Sequence, residues 1–244
     1  MLRPSRLAGI VGLLAVSCTI ACGAGSEERA AAASARADSA PLPPVAGATS
    51  PRVVLLGDSL TAGLGLPIAE AYPSLLQRRI ADEGLNYTIV NAGVSGDTSA
   101  GGLSRLDWAL AGDVRVLVVA LGGNDGLRGL AVAEVRRNLS EIIERAQARN
   151  IAVVLAGMEA PPNYGFDYTV AFHKLYPELA KKYRIAFVPF LLERVGGNLD
   201  LNQPDGIHPN TEGAKLVADN VWTVLKPVIE RDATRVERGK APDR

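Results

Sequence analysis

The sequence predicts an α/β fold, a parallel sheet with helices on both faces. Short apolar runs alternate with segments of helical period from Arg52 to about Val228. The runs are apolar at nearly every position, as strands covered on both faces require. The most apolar of them, "VRVLVVALGG" at 114–123, therefore belongs at the centre. Right-handed crossovers then restrict the possible topologies to a few.

"RVVLLG" (52–57) gives the first strand, and "AYPSLLQRRIADEG" (71–84) a helix with Leu76 and Ile80 on one face. "YTIVNAG" (87–93) is the second strand. "DTSAGGLSRLDWALAG" (97–112) reads as a helix capped by Asp97 or Thr98 and weakened by Gly101 and Gly102. After the 114–123 strand, residues 131–149 carry Val132, Val135, Leu139, Ile142 and Ala146 at helical spacing. "IAVVLAG" (151–157) and "IAFVPF" (185–190) are the fourth and fifth strands, with a helix near 168–183 between them. Asn210 can cap a last helix burying Val217, Val221, Val224 and Val228.

The chain ends differ in composition. Residues 1–22 read as a secretory signal: Arg3 and Arg6, then an apolar stretch from about Leu7 to Ala21, short for a membrane span. Both cysteines of the chain, Cys18 and Cys22, lie there, so the mature domain has no internal disulfide. Ile20-Ala21-Cys22 resembles a bacterial lipobox, with Cys22 the lipidated residue. Cys18 is the competing site, and an ordinary cleaved signal is the alternative. Residues 23–50, rich in Ala, Ser and Pro, form a flexible tether. Residues 51–231 form one domain, and 232–244 a charged tail. Formal net charge is zero, which points to no nucleic-acid partner.

In a parallel sheet of this kind, ligands sit beyond the carboxyl ends of the strands. Three loops there stand out: "GDSLTAG", "NAGVSGDTS" and "GGNDGLRG". They do not fit a dinucleotide. Gly63 and Gly65 begin a G-x-G, but the third glycine would fall at Ile68. They do fit nucleophilic catalysis. Ser59 ends the first strand with an open hydroxyl, where a helix cap is the bland alternative. Of the two histidines, His173 lies among aromatics on a helix and His208 in the turn "PDGIHPNTEG". His208 is the base, and Asp205, three residues earlier, can fix its tautomer and stabilise the imidazolium. The Gly93 N–H and the Asn124 amide are candidate oxyanion donors. No second well-placed His or Cys completes a zinc site, so no metal or other cofactor is expected.

These residues resemble the SGNH, or GDSL-type, hydrolases. Ser59 in "GDSL", Gly93 in "NAGVSGDTS", Asn124 in "GGND" and His208 in "DGIHP" match the four signature residues, and Asp205 the third triad member. The likeness covers about residues 52–230, and "GGNDGLRG" and "PPNYG" extend it to bacterial arylesterases, acyl-CoA thioesterases and periplasmic lysophospholipases. The resemblance implies a three-layer α/β/α sandwich, with a flavodoxin-like five-stranded parallel sheet. It implies a cofactor-free ester or thioester hydrolase acting on small-molecule or lipid esters, with the Ser59 N–H as a third oxyanion donor. A carbohydrate O-deacetylase would use the same residues, and a non-catalytic surface lipoprotein is a further alternative. Residues 158–170, "MEAPPNYGFDYTV", read as a mobile lip over the acyl site, with Tyr164 and Phe166 selecting the acyl chain, and an ordinary loop packed on the following helix is the alternative. The sequence carries nothing that fixes an oligomeric state.

Overall fold

The computed structural model describes residues 50–240, with side chains as far as Arg235. The expected signal, both cysteines and all of the tether but Ser50 lie outside the described residues, as do 241–244. Five strands form one parallel sheet: β1 (Arg52–Gly57), β2 (Thr88–Gly93), β3 (Val114–Ala120), β4 (Ala152–Ala156) and β5 (Ala186–Val188). Their order is β2-β1-β3-β4-β5, the doubly wound flavodoxin-like order, with the most apolar strand in the middle. Val53 to Leu56 and Val116 to Ala120 are completely buried, as two-sided strands must be.

Eight α-helices are found among the described residues. They are α1 (Ser59–Ala62), α2 (Tyr72–Asp82), α3 (Ser99–Ser104), α4 (Leu106–Ala109), α5 (Gly123–Leu127), α6 (Val132–Ala148), α7 (Phe166–Tyr183) and α8 (Thr211–Lys240). α2 packs on α8 over one face, while α3, α6 and α7 pack in sequence over the other. The stripe on α6 is the one its period predicts: Val135, Leu139, Ile142, Ile143 and Ala146 are buried. Truncating Leu139 to Ala would cost about 2–5 kcal/mol through lost transfer energy and a cavity.

Two helices differ from the sequence reading. The segment 97–112 is not one helix but α3 and α4, broken at Arg105. The Arg105 side chain turns inward, its Nε donating to Asp97 Oδ2 at 2.7 Å and its Nη2 to Gly57 O at 2.9 Å. Gly102 does more than weaken α3. A Cβ there would stand 2.2 Å from Leu121 Cδ1, so the missing side chain lets the helix lie close on the sheet. On α8, Val224 is only half-buried and Leu225 is buried in its place. The helix also runs through what composition reads as a charged tail, to Lys240. Asp232 is buried there, accepting the Tyr87 hydroxyl at 2.9 Å and paired with Arg235 at 3.0 Å.

Register positions the chemistry. Gly57 pairs with Gly93 of β2 on one side and with Ala120 of β3 on the other. Three strand ends therefore come level at the point where the connections from β1 and β3 diverge, the usual place for a ligand in this topology.

Candidate active site

At the end of β1 the chain turns at once into α1. A Cβ on Gly57 would stand 1.9 Å from Thr61 Oγ1, so only glycine permits this tight reversal. Asp58 caps α1, its Oδ1 accepting from Leu60 N at 3.0 Å. Ser59 is the first residue of the helix. Its Oγ lies 2.8 Å from His208 Nε2, and His208 Nδ1 lies 2.6 Å from Asp205 Oδ2.

The histidine comes from the turn before α8. Asp205 Oδ1 accepts the backbone N–H groups of Ile207 and His208 at 2.9 and 3.0 Å, and Gly206 supplies the positive φ of 71° that the turn needs. These backbone donors, then the imidazole, hold the Asp205 carboxyl down at about 2. It is ionised throughout the working range of an enzyme. Donation from Nδ1–H to that carboxylate leaves Nε2 free to accept from Ser59. Gln203, which sequence reasoning missed, staples the turn to the serine loop. Its Nε2 donates to Leu64 O at 2.7 Å and to Pro209 O at 3.0 Å. No local pattern marks it, because its partners lie in another loop. His173 is on the surface, paired with Glu159.

Asn124 stands in the first turn of α5 and reaches across to both neighbouring loops. Its Nδ2 donates to Asp97 O at 2.9 Å and to Asp58 Oδ2 at 3.2 Å. Next to it, buried Asp125 grips Ser99, accepting the backbone N at 2.8 Å and the hydroxyl at 2.6 Å. Asp58 is almost wholly enclosed. Burial pushes its carboxyl up to about 6, against the lowering effects of the Leu60 N–H and of His208.

Gly93 does not fill the expected place. Its N–H is committed to Asn91 Oδ1 at 2.9 Å, and a Cβ there would stand 2.2 Å from Ala62 N. It is a packing glycine that lets β2 pass under α1. Three residues on, Gly96 is exposed, has a φ of 84°, and its N–H takes no partner among the described residues. Its peptide adjoins Asp97, whose carbonyl accepts from Asn124. Gly96 therefore offers a free N–H in this loop, and Gly93 does not.

The 158–170 segment is fastened rather than loose. Met158 and Ala160 are buried. The Tyr164 hydroxyl donates to Leu127 O at 3.0 Å and that of Tyr168 to Leu130 O at 2.9 Å. Tyr176 completes the series, donating to Leu121 O at 3.1 Å. With Phe172 these rings run in a row from Tyr164 down α7, tilted or edge-on to one another, at centroid spacings of 5.4, 5.9 and 5.7 Å. Three glycines of the 121–130 loop face them. A Cβ on Gly122 would lie 2.0 Å from Tyr176 Oη, on Gly126 3.2 Å from Phe172 Cζ, and on Gly129 2.4 Å from Tyr164 Cε1. Neither Tyr164 nor Phe166 borders the apolar recess beside Ser59, which is lined by Leu60, Leu64, Leu66, Tyr72, Pro209 and Val217.

With this geometry in view, the likeness to known proteins is specific. The GDSL-like Lipase/Acylhydrolase family model matches residues 55–216. Esterase TesA of Pseudomonas aeruginosa is 46% identical over 183 residues, covering 75% of this chain and 91% of that protein. Thioesterase 1/protease 1/lysophospholipase L1 of Escherichia coli is 37% identical over 187 residues, covering 76% and 88%. Among solved structures, the crystal structure of TesA superposes with a TM-score of 0.70 at 46% identity, over 72% of this chain and 99% of that one. The psychrotrophic esterase EstA from Pseudoalteromonas sp., inhibited by monoethylphosphonate, gives a TM-score of 0.70 at 32% identity, over 73% and 98%.

Proposed function

The chain belongs to the GDSL-like lipase/acylhydrolase family and is a serine esterase or thioesterase, and from that premise we propose that carboxylic esters are cleaved through an acyl-enzyme on Ser59. The observation that carries the reading is the continuous chain Ser59 Oγ, His208 and Asp205, with contacts of 2.8 and 2.6 Å. Ser59 attacks the acyl carbonyl as His208 Nε2 takes its proton. Asp205 holds the ring and offsets the imidazolium charge. The oxyanion is received by the N–H groups of Ser59 and Gly96 and by Asn124 Nδ2. Asn124 exchanges one of its present acceptors for the oxyanion. His208 returns the proton to the leaving alcohol or thiol, and water repeats the sequence to free the acid.

Tyr164 and Phe166 stand farther out, where they meet the acyl chain as it leaves the mouth. The substrate is a small aryl or acyl ester, thioesters and lysophospholipids included. The two relatives named for esterase, thioesterase and lysophospholipase activities support this range. The chain is exported and held at the cell envelope by lipid on Cys22. That reading rests on the basic start, the apolar stretch and Ile20-Ala21-Cys22.

The test is covalent labelling. A fluorophosphonate should attach to Ser59 of the full chain, identified by peptide mass, and block hydrolysis of p-nitrophenyl acetate. Ser59→Ala should neither react nor hydrolyse, while keeping the wild-type circular-dichroism melt. Hydrolysis that persists in that variant would assign the nucleophile elsewhere.

A further inference from the structure

Eight large apolar side chains are exposed among the described residues, and seven of them stand on the connections that follow the strands or at the ends of the short helices within them. Trp108, on α4, is the eighth. Single exposed apolar residues are ordinary. Their gathering on the connections that follow the strands is not, and neither is the degree of exposure: 82% for Ile68, 81% for Phe166 and 79% for Leu199.

They form two lips on either side of the triad. On one side, Leu64 and Ile68 follow β1, and Leu199 and Ile207 precede and flank the histidine turn. Gln203 ties Leu64 O to this turn at 2.7 Å, Thr211 donates to Glu70 Oε2 at 2.5 Å, and Leu199 comes within 4.0 Å of a Cβ position on Gly206. On the other side are Leu127, Tyr164 and Phe166, joined by the Tyr164–Leu127 hydrogen bond. Both lips are therefore built into the loops that carry the catalytic groups.

We propose that this rim is an interfacial docking surface, and that its occupant is the surface of a zwitterionic phospholipid bilayer from which ester substrate is drawn. The proposal rests on the reading of Ser59 as nucleophile, and Leu64 of the rim also lines the recess beside that serine. Charge selects the lipid. Residues 63–70, 126–130, 164–168 and 199–208 carry four carboxylates (Glu70, Asp167, Asp200, Asp205) against one arginine, Arg128. Such a rim repels anionic headgroups and leaves apolar insertion as the attraction.

The experiment compares the full chain with its Ile68→Ser/Leu199→Ser variant. Both are made as the full chain with Cys18→Ser and Cys22→Ser, so no lipid anchor holds either of them to the vesicle. The two rates are hydrolysis of p-nitrophenyl octanoate held in phosphatidylcholine vesicles and of p-nitrophenyl acetate in solution. The ratio of vesicle to solution rate should fall at least about ten-fold, since two such side chains make roughly a hundred-fold difference on full insertion. The acetate rate should stay within about two-fold. An unchanged ratio overturns the proposal, and so does an equal fall in both rates. Stronger binding of the wild type to phosphatidylglycerol vesicles overturns it as well. A wild-type dimer that dissociates in the double variant, with the vesicle rate unaltered, gives the rim to a second copy of the chain. Vesicle flotation of the Ser59→Ala chain, with and without the rim substitutions, separates the two readings. If the wild type cleaves neither ester, the nucleophile reading fails, while flotation lost with the rim substitutions still supports docking.

Discussion

Asp58→Asn tests how the site stores electrostatic strain. The Asp58 carboxyl is buried, and its proton is held to about pH 6 against an ordinary value of 3.8. The folded chain keeps this proton more tightly than the unfolded chain does. Raising the pH from about 4 to 6 removes a proton that only the folded state favours, so stability falls across that window. Above it, the ionised group destabilises the fold by about 3 kcal/mol, taking about 1.4 kcal/mol for each tenfold change in proton affinity. Asparagine removes the charge and caps a helix as well as aspartate, keeping the Leu60 N bond. It loses the bond from Asn124 Nδ2, which costs about 1 kcal/mol. Asp58→Asn should therefore be more stable than wild type by about 2 kcal/mol at pH 8 and less stable by about 1 kcal/mol at pH 4. Urea melts followed by circular dichroism at the two pH values measure both differences. Esterase turnover at pH 8 should fall about ten-fold, because Asn124 loses the acceptor that aligns it and His208 loses a nearby negative charge. A variant equally destabilised at both pH values would refute the reasoning, since the carboxylate would then carry no strain.

Asn124→Ala should lower kcat by about 10²–10³-fold in steady-state ester hydrolysis, the usual effect of deleting one oxyanion donor. A change confined to KM would put Asn124 outside that role. Asp205→Asn should lower kcat by roughly 10³–10⁴-fold by leaving His208 in the wrong tautomer. The Asp205 carboxyl sits at about 2, so it adds stability above about pH 4 that is lost as the pH falls toward 2. Melts of Asp205→Asn and wild type should accordingly converge at the acid end. Tyr164→Ala or Phe166→Ala should shift the octanoate-to-acetate rate ratio more than the acetate rate, each buried methylene being worth about 0.8 kcal/mol. Equal losses on both esters would remove the pair from chain selection.

The fold was legible because its strands are apolar throughout and its long helices keep strict period. Val116 to Ala120 and the α6 stripe need no tertiary information to be recognised. The contact of Ser59, His208 and Asp205 was legible because side chains of distinctive chemistry lie in two short motifs. What failed was whatever depends on a partner distant in sequence or on which way a backbone N–H points. Gly93 ends β2 and Gly96 stands three residues on, and the sequence does not show that the Asn91 side chain takes the first N–H while the second has no partner among the described residues. The break at Arg105 arises from a bond to Gly57 O, far back in the chain. Gln203 reads as a loop residue until its contact with Leu64 O is seen. The end of α8 looked like a tail because buried Asp232 finds its donor in Tyr87, before β2.

The pairing of Gly122, Gly126 and Gly129 with Tyr176, Phe172 and Tyr164 has a consequence for how this sequence can vary. The two segments run past each other in a fixed phase, each glycine making room for one ring. Neither can take an insertion without moving every later ring off its vacancy. Gly122 and Gly129 also hold positive φ, 111° and 62°, so a side chain there is strained whatever stands opposite, while one at Gly126 needs Phe172 to give by a few tenths of an ångström. Residues 121–130 and 160–176 therefore form a single unit of inheritance, although α6 separates them along the chain. A chimera that imports the 121–130 loop from a relative should carry that relative's 160–176 segment with it. Randomised libraries over these stretches should therefore hold Gly122 and Gly129 fixed and vary Gly126 only together with Phe172.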